Sequence, residues 1–224
     1  MSVVTYPDKG AWLEARRKVL TATQAAIIFA THCGEKVWKG STQWHVWQEK
    51  IDGAEHIEES VAMWHGKALE RPICQWVADQ IGGELLYPEP YTMVYRDDLP
   101  IVACTPDAWV RMPDGELRLI ESKTSSYADE WGPTGSVEVP FNYMAQVGWQ
   151  QAACEVETAH LGCYLAWATD GYVQPKMHRD LRHYTLKRIS AVEQVMLGVC
   201  VRWWQTYVET GFPPPRENKI RRVA

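Results

Sequence analysis

The apolar positions change period part way along the chain. From Asp8 to Ala30 they recur at helical spacing: Trp12, Ala15 and Val19 share a face, and Leu20-Thr21-Ala22-Thr23 reads as a cap opening a second helix through Ile28. Thr42 to Ile51 fits a short helix. Glu58 to Ile81 places Trp64, Leu69, Ile73, Trp76, Val77 and Ile81 on a long helical pattern. Pro72 is expected to kink or restart that helix, and Gly82-Gly83 to stop it. From Glu84 to Thr124 the period drops to two. This predicts strands near Glu84–Leu86, Tyr91–Arg96, Ile101–Cys104, Ala108–Met112 and Glu116–Lys123. Ser125 to Val139, rich in Gly, Ser and acidic residues, reads as a mobile loop. Asn142 to Glu155 is helical, His160 to Ala168 a buried strand, and Arg182 to Leu186 an edge strand. Ser190 to Thr210 forms a long C-terminal helix that Pro213-Pro214-Pro215 prevents from continuing. The basic residues from Arg216 to Ala224 read as a loosely held tail. The alternation predicts an α/β fold, one domain across all 224 residues.

Within the strand-rich region, Met112-Pro113-Asp114-Gly115-Glu116 has the chemistry of a three-residue hairpin loop. Pro-Asp suits a type I turn, and Gly takes the left-handed closing position. If Met112 pairs with Glu116, counting back along both strands sets Asp107 opposite Glu121. Such partners have Cβ atoms roughly 4.5–5.5 Å apart. Two carboxylates at that separation repel unless a cation lies between them, and hard oxygen ligands suit Mg²⁺. Lys123, two residues beyond Glu121, leaves the strand on the same face. The same residues also fit surface charges with Lys123 as a cross-strand pair.

Composition narrows the classes. With 46% hydrophobic residues the chain can bury a sizeable core. Met1 to Gly10 is polar, without the apolar stretch of a signal peptide, and no apolar run is long enough to span a bilayer. The six cysteines are scattered with no CxxC pair, and read as buried free thiols in a reducing cytoplasm. The seven histidines form no HxxxH or HExxH pattern, which argues against zinc. A net charge of −5 is the wrong sign for binding nucleic acid over the whole surface, though a concave site can keep a local basic lining.

Further candidates surround the hairpin. Glu70 follows Gly66 by one turn on the long helix, where a glycine permits close approach of another backbone; Glu70 then adds a third anion. Arg16 on the first helix and Thr23 at the start of the second suit a phosphate, since a helix N-terminus, a hydroxyl and a guanidinium all favour anions. Thr105 adjoins the hairpin and adds another hydroxyl. Tyr143, Gln146 and Gln150 share one helix face, a stripe that reads either as the lining of a DNA groove or as a partly exposed polar face. The 12 tryptophans fall mostly at core spacing rather than forming a platform for bases.

Five segments in one order carry a resemblance. They are Ala11-Trp12…Arg16…Thr21-Ala22-Thr23, Trp64-His65-Gly66-Lys67…Glu70, Ala103-Cys104-Thr105-Pro106-Asp107, Leu119-Ile120-Glu121-Ser122-Lys123 and Tyr143-Met144-Ala145-Gln146-Val147. With them the chain resembles the YqaJ-type viral recombinase family of alkaline exonucleases, which includes phage lambda exonuclease. The resemblance implies a restriction-endonuclease-like fold, a mixed central sheet flanked by helices. It also implies Mg²⁺-dependent 5′→3′ digestion of one strand of linear duplex DNA to 5′-mononucleotides, leaving a 3′ overhang for recombination. Two Mg²⁺ ions are expected, with Mn²⁺ as a substitute. The implied ligands are Glu70, Asp107, Glu121 and the main-chain carbonyl of Ser122, with Lys123 as the catalytic lysine. Arg16, Thr23, Thr105 and Gln146 would hold the terminal 5′-phosphate, and Tyr143 and Gln150 would face the DNA. The implied partners are duplex ends bearing a 5′-phosphate, two further copies in a ring trimer, and a single-strand annealing protein, with no membrane. Thr23 and Thr105 stand where lambda exonuclease has serine, and Ser122 replaces an apolar residue.

Two rivals differ in class. One is a structure-selective or sequence-specific endonuclease on the same fold, which would cut a closed circle. The other is a non-catalytic DNA-end-binding scaffold, against which Asp107, Glu121 and Lys123 are all present.

Overall fold

The change of hydrophobic period marks the border between a helical N-terminal region and the main sheet. The computed structural model describes residues 1–53, 60–169 and 176–216. A short strand β1 (Ser2–Thr5), which the sequence pattern did not suggest, precedes α1 (Lys9–Arg17). The Asp8 carboxylate caps α1 by accepting from the Ala11 amide at 2.9 Å. Helix α2 (Ala22–Cys33) starts at Thr21, whose amide donates to Gln24 Oε1 at 3.1 Å. Thr42 caps α3 (Gln43–Ile51). Helix α4 (Val61–Ile81) ends on left-handed Gly82, where a residue without Cβ adopts φ 71° freely. It continues through Pro72 without restarting. Proline removes the hydrogen bond to the carbonyl of Ala68, but Ala68 is exposed and water can replace that donor. The expected helical start at Glu58 lies outside the described residues.

Two sheets follow. Strands β1, β3 (Thr92–Tyr95) and β4 (Ala103–Cys104) make a small antiparallel sheet in the order β1-β3-β4. The main sheet has the order β2-β5-β6-β7-β8, from β2 (Glu84–Leu86), β5 (Ala108–Arg111), β6 (Leu117–Ser125), β7 (Thr158–Thr169) and β8 (Lys176–Lys187). It is mixed: β6 and β7 are parallel, joined through α5 (Phe141–Cys154), and the other pairs are antiparallel. The edge strand β8 is longer than the Arg182–Leu186 segment expected.

Helix α4 covers one face of the main sheet, packing Cys74, Val77 and Ala78 on Ala108, Val110 and Ile120. Gly162 of β7 makes this possible, because a Cβ there would meet Ile73 Cγ2 at 2.6 Å and Val77 Cγ2 at 2.7 Å. Helix α5 covers the other face, backed by α2 and α6 (Ser190–Trp203). A single π-helical turn, Trp204–Val208, continues α6. The segment expected to be a mobile loop is instead packed down: Ala128, Trp131 and Val139 are buried in the larger core. Tyr184 Oη donates to the Gly132 carbonyl at 2.6 Å, and Trp131 stacks on Tyr143 with ring centroids 5.2 Å apart. Among the described residues no helix is long and apolar enough to cross a membrane. Most of the basic tail lies outside the described residues; Arg216 stacks on the ring of Trp44 at 4.4 Å.

Candidate active site

The hairpin forms in the expected register. Ala108 pairs with Ile120 and Arg111 with Leu117, and the Met112 amide donates to the Glu116 carbonyl at 2.9 Å across the turn. Gly115 takes φ 89°, the left-handed position that closes the loop. Asp107, one residue before β5, therefore comes level with Glu121 on β6. An ion pair and hydrogen bond join Lys123 Nζ to Glu121 Oε1, which places the lysine and the carboxylate on one face.

The elements around the hairpin hold these groups firmly. Glu121 is only 2% exposed, and both its oxygens are engaged. Besides Lys123, Oε1 accepts from Gln146 Nε2 at 2.6 Å, and Oε2 accepts from Gln150 Nε2 at 2.7 Å. Asp107 Oδ2 accepts from the Ser122 amide at 2.8 Å and from its hydroxyl at 2.9 Å. Burial, followed by the negative charge of Glu121, pushes the Asp107 carboxyl up to about 7. The same two causes, in the same order, raise Glu70, which α4 brings to the edge of the cluster. Burial opposes the Lys123 charge, but Glu121 and Asp107 outweigh it and its pKa is raised. Lys123 also lies 5.6 Å from the centre of the Tyr143 ring.

This arrangement bears on the expected metal. Three carboxylates against one lysine leave an excess of negative charge, and their oxygens are hard donors, so the set fits a divalent cation chemically. Among the described residues no three acidic, His or Cys side chains converge closely enough to enclose an ion. Ammonium and amide donors occupy both Glu121 oxygens, and the Ser122 amide and hydroxyl occupy Asp107 Oδ2. Loading would therefore turn part of the Lys123–Gln146–Gln150 clamp away from Glu121.

The two glutamines of the Tyr143–Gln146–Gln150 stripe are buried rather than on a partly exposed polar face. Gln150 is 1% exposed with its amide on Glu121, and Gln146 donates to the same carboxylate. Tyr143 packs against Trp131 and Trp38. Gly66 is not required by close approach either: a Cβ there would lie 3.7 Å from Thr124 Oγ1, an ordinary contact.

The remaining phosphate candidates gather at the start of α2. Leu20 bridges to Val102, and the Ala103 amide donates to the Leu20 carbonyl at 3.2 Å. The chain entering α2 thus runs beside the chain leading to Thr105. Thr23 is exposed in the first turn of α2. Thr105 Oγ1 is buried without a partner among the described residues, an orphan that a ligand oxygen would satisfy. Arg16 lies over the Trp12 ring at 4.5 Å; burial lowers its pKa against the opposing pull of Glu49.

Sequence reasoning missed Lys50, Gln24 and Glu49, which pack beside Arg16. The available signal was Lys50 one turn after core residue Val46, on the buried face of α3.

Comparisons with known proteins bear on the family and the fold. The profile of the YqaJ-like viral recombinase domain matches residues 11–157. No curated protein matches the chain in sequence. Among solved structures, an alkaline exonuclease from Laribacter hongkongensis, LHK-Exo, aligns over 91% of this chain and 94% of its own at 16% identity, with a TM-score of 0.61. The same enzyme in complex with dAMP aligns equally, at 15% identity and a TM-score of 0.61. A phage-related exonuclease from Haemophilus somnus 129PT covers 87% of this chain and 96% of its own at 10% identity, with a TM-score of 0.51. At these identities the likeness establishes the restriction-endonuclease-like fold.

Proposed function

The chain belongs to the YqaJ-like viral recombinase domain family, and from that premise we propose a metal-dependent nuclease that digests one strand of linear duplex DNA from its 5′ end. The observation that carries this reading is the Asp107–Glu121–Lys123 cluster around the buried Glu121, set by hairpin register and backed by two glutamines of α5. Mg²⁺, held by Asp107, Glu121, Glu70 and the Ser122 carbonyl, would supply Lewis-acid stabilisation of charge on the phosphoryl oxygens.

The chain's own groups do the rest. Lys123 orients the attacking water and offsets negative charge as it develops on the phosphoryl group. Gln146 and Gln150 restrict the Glu121 carboxylate to one orientation, and Ser122 does the same for Asp107. Arg16, the first turn of α2 with Thr23, and the unpartnered Thr105 hydroxyl receive the terminal 5′-phosphate, so that the next phosphodiester lies at the carboxylates. That spacing gives the polarity and the mononucleotide product. An acidic chain holds DNA better by enclosure than by whole-surface attraction, which favours a ring of three copies, with a single-strand annealing protein taking the exposed strand.

One assay tests the reading. Linear duplex labelled at either end is incubated with and without Mg²⁺ beside a covalently closed circle. Mg²⁺-dependent mononucleotide release from 5′-phosphorylated ends, with the circle intact, is the expected result. Nicking of the circle would instead identify an endonuclease, and bound but uncut DNA a scaffold.

A further inference from the structure

Helix α3 ends on a buried lysine whose contacts are those of a keystone. Lys50 is 6% exposed, and among the described residues it forms no ion pair. Its ammonium donates to the Arg16 main-chain carbonyl at 2.7 Å and to Gln24 Oε1 at 2.6 Å. Gln24 Oε1 also accepts from the Thr21 amide and from the Thr21 hydroxyl at 3.0 Å, and Gln24 Nε2 donates to Glu49 Oε2 at 2.5 Å. A single side chain thus ties the last turn of α1, the first turn of α2 and the end of α3. Arg17 reinforces the junction by donating to the Ile51 carbonyl at 2.7 Å.

The charges at this junction do not balance. Arg16 and Lys50 share the field of one carboxylate, Glu49. Burial, and then the Arg16 charge, lowers Lys50 to about 7. Two desolvated cations against one anion are unfavourable, so Lys50 is only partly charged near neutral pH, and an arriving anion would hold its proton in place. A neutral amide could tie the same carbonyl and Gln24 without that cost, so the ammonium contributes something beyond a brace.

We propose that Lys50 is a positioning residue for the terminal 5′-phosphate, fixing Arg16 against the first turn of α2 and supplying the buried charge that makes this pocket select a phosphate over a hydroxyl. The inference rests on reading Arg16 and Thr23 as the phosphate-binding wall. A terminal phosphate carries close to two negative charges at neutral pH, whereas a 5′-hydroxyl carries none. The dianion completes the charge balance, and a hydroxyl leaves it open.

The test measures kcat and KM of the full chain with Mg²⁺ on linear duplexes of one sequence ending in 5′-phosphate or 5′-hydroxyl. Lys50→Gln keeps a hydrogen-bond donor and removes the charge; Lys50→Met removes both. The expected result is a rise of about tenfold in KM for 5′-phosphorylated ends in both variants, the scale of one charge-assisted hydrogen bond, with kcat within about twofold. The preference for phosphorylated ends then falls by the same factor. Full restoration of the preference by Lys50→Gln would reduce Lys50 to a structural brace and overturn the proposal, as would equal losses on both kinds of end. Should Lys50→Met melt at assay temperature, Lys50→Gln carries the test alone. A wild-type protein that does not prefer phosphorylated ends overturns the pocket itself, and the inference with it. A wild-type preference that both variants keep removes only Lys50.

Discussion

The carboxylate cluster and the cation junction are built by opposite routes. Asp107, Glu121 and Lys123 come from one hairpin whose turn sets their register, and α5 then packs two amides onto the result. Arg16, Thr23, Lys50 and Thr105 come from separate elements and meet only when α1, α2, α3 and the chain after β4 pack together. The hairpin carries excess negative charge and the junction excess positive charge. A nucleic-acid end bearing phosphates, together with a divalent cation, would neutralise both. The local cluster should therefore control chemistry, and the assembled junction should control which end is accepted.

The sharpest way to break this division is Lys123→Ala. It should lower turnover by about 10³-fold on every end, within the range seen for loss of a positioned acid–base group, while duplex binding persists. Substantial residual cutting, measured by mononucleotide release under single-turnover conditions, would take the lysine out of the mechanism. Arg16→Ala should act differently, costing about 30-fold on 5′-phosphorylated ends for a buried charge contact of about 2 kcal/mol. An equal loss on 5′-hydroxyl ends would erase the distinction between the two regions.

The two routes also explain what could be read from the chain. A three-residue loop closed by Gly115 specifies its own register, so Asp107 and Glu121 were matched before any tertiary contact was known. The segments that become β6, α5 and β7, and the capped start of α2, were legible from period and polar punctuation, whereas the parallel pairing of β6 with β7 was not. Lys50 was not, because a lone lysine near a helix end ordinarily faces water, and only its spacing from Val46 hints otherwise. The contact of the two glutamines with Glu121 was not legible for a related reason: polar residues on one helix face suggest solvent or ligand, whereas here they satisfy a buried carboxylate. The segment 125–139 has loop composition, yet Trp131 anchors it between Tyr143 and Tyr184. Pattern counts averaged over the segment hide one such residue.

A third comparison uses pH. The Asp107 carboxyl is raised from an ordinary value near 4 to about 7 by burial and by Glu121. Its contribution to the stability of the metal-free fold is therefore present below about pH 4 and lost as pH rises through about 7. Melting temperature in EDTA should fall across that window and the fall should flatten in Asp107→Asn. Mg²⁺ must displace the same proton, so its affinity should rise up to about tenfold per pH unit below pH 7. A metal affinity independent of pH over that range would place the ion elsewhere.

The smallest expected effect separates orientation from charge within the carboxylate cluster itself. Gln150→Leu fills a similar volume but removes the donor to Glu121 Oε2, leaving Oε1 held by Gln146 and Lys123. Loss of one hydrogen bond to a charged group corresponds to about 1.5 kcal/mol, or roughly tenfold. Glu121 keeps its charge, so Mg²⁺ still binds, and the freed oxygen has one competitor fewer for the ion. The variant should therefore lower kcat by up to about tenfold while Mg²⁺ affinity holds or improves, read by titrating activity with Mg²⁺. A fall in both would show that the amide helps to build the ion site, because a carboxylate that binds metal only when clamped loses affinity as it loses orientation. A fall in neither would mean that Gln146 and Lys123 alone fix the carboxylate, and that the second glutamine serves the fold rather than the reaction.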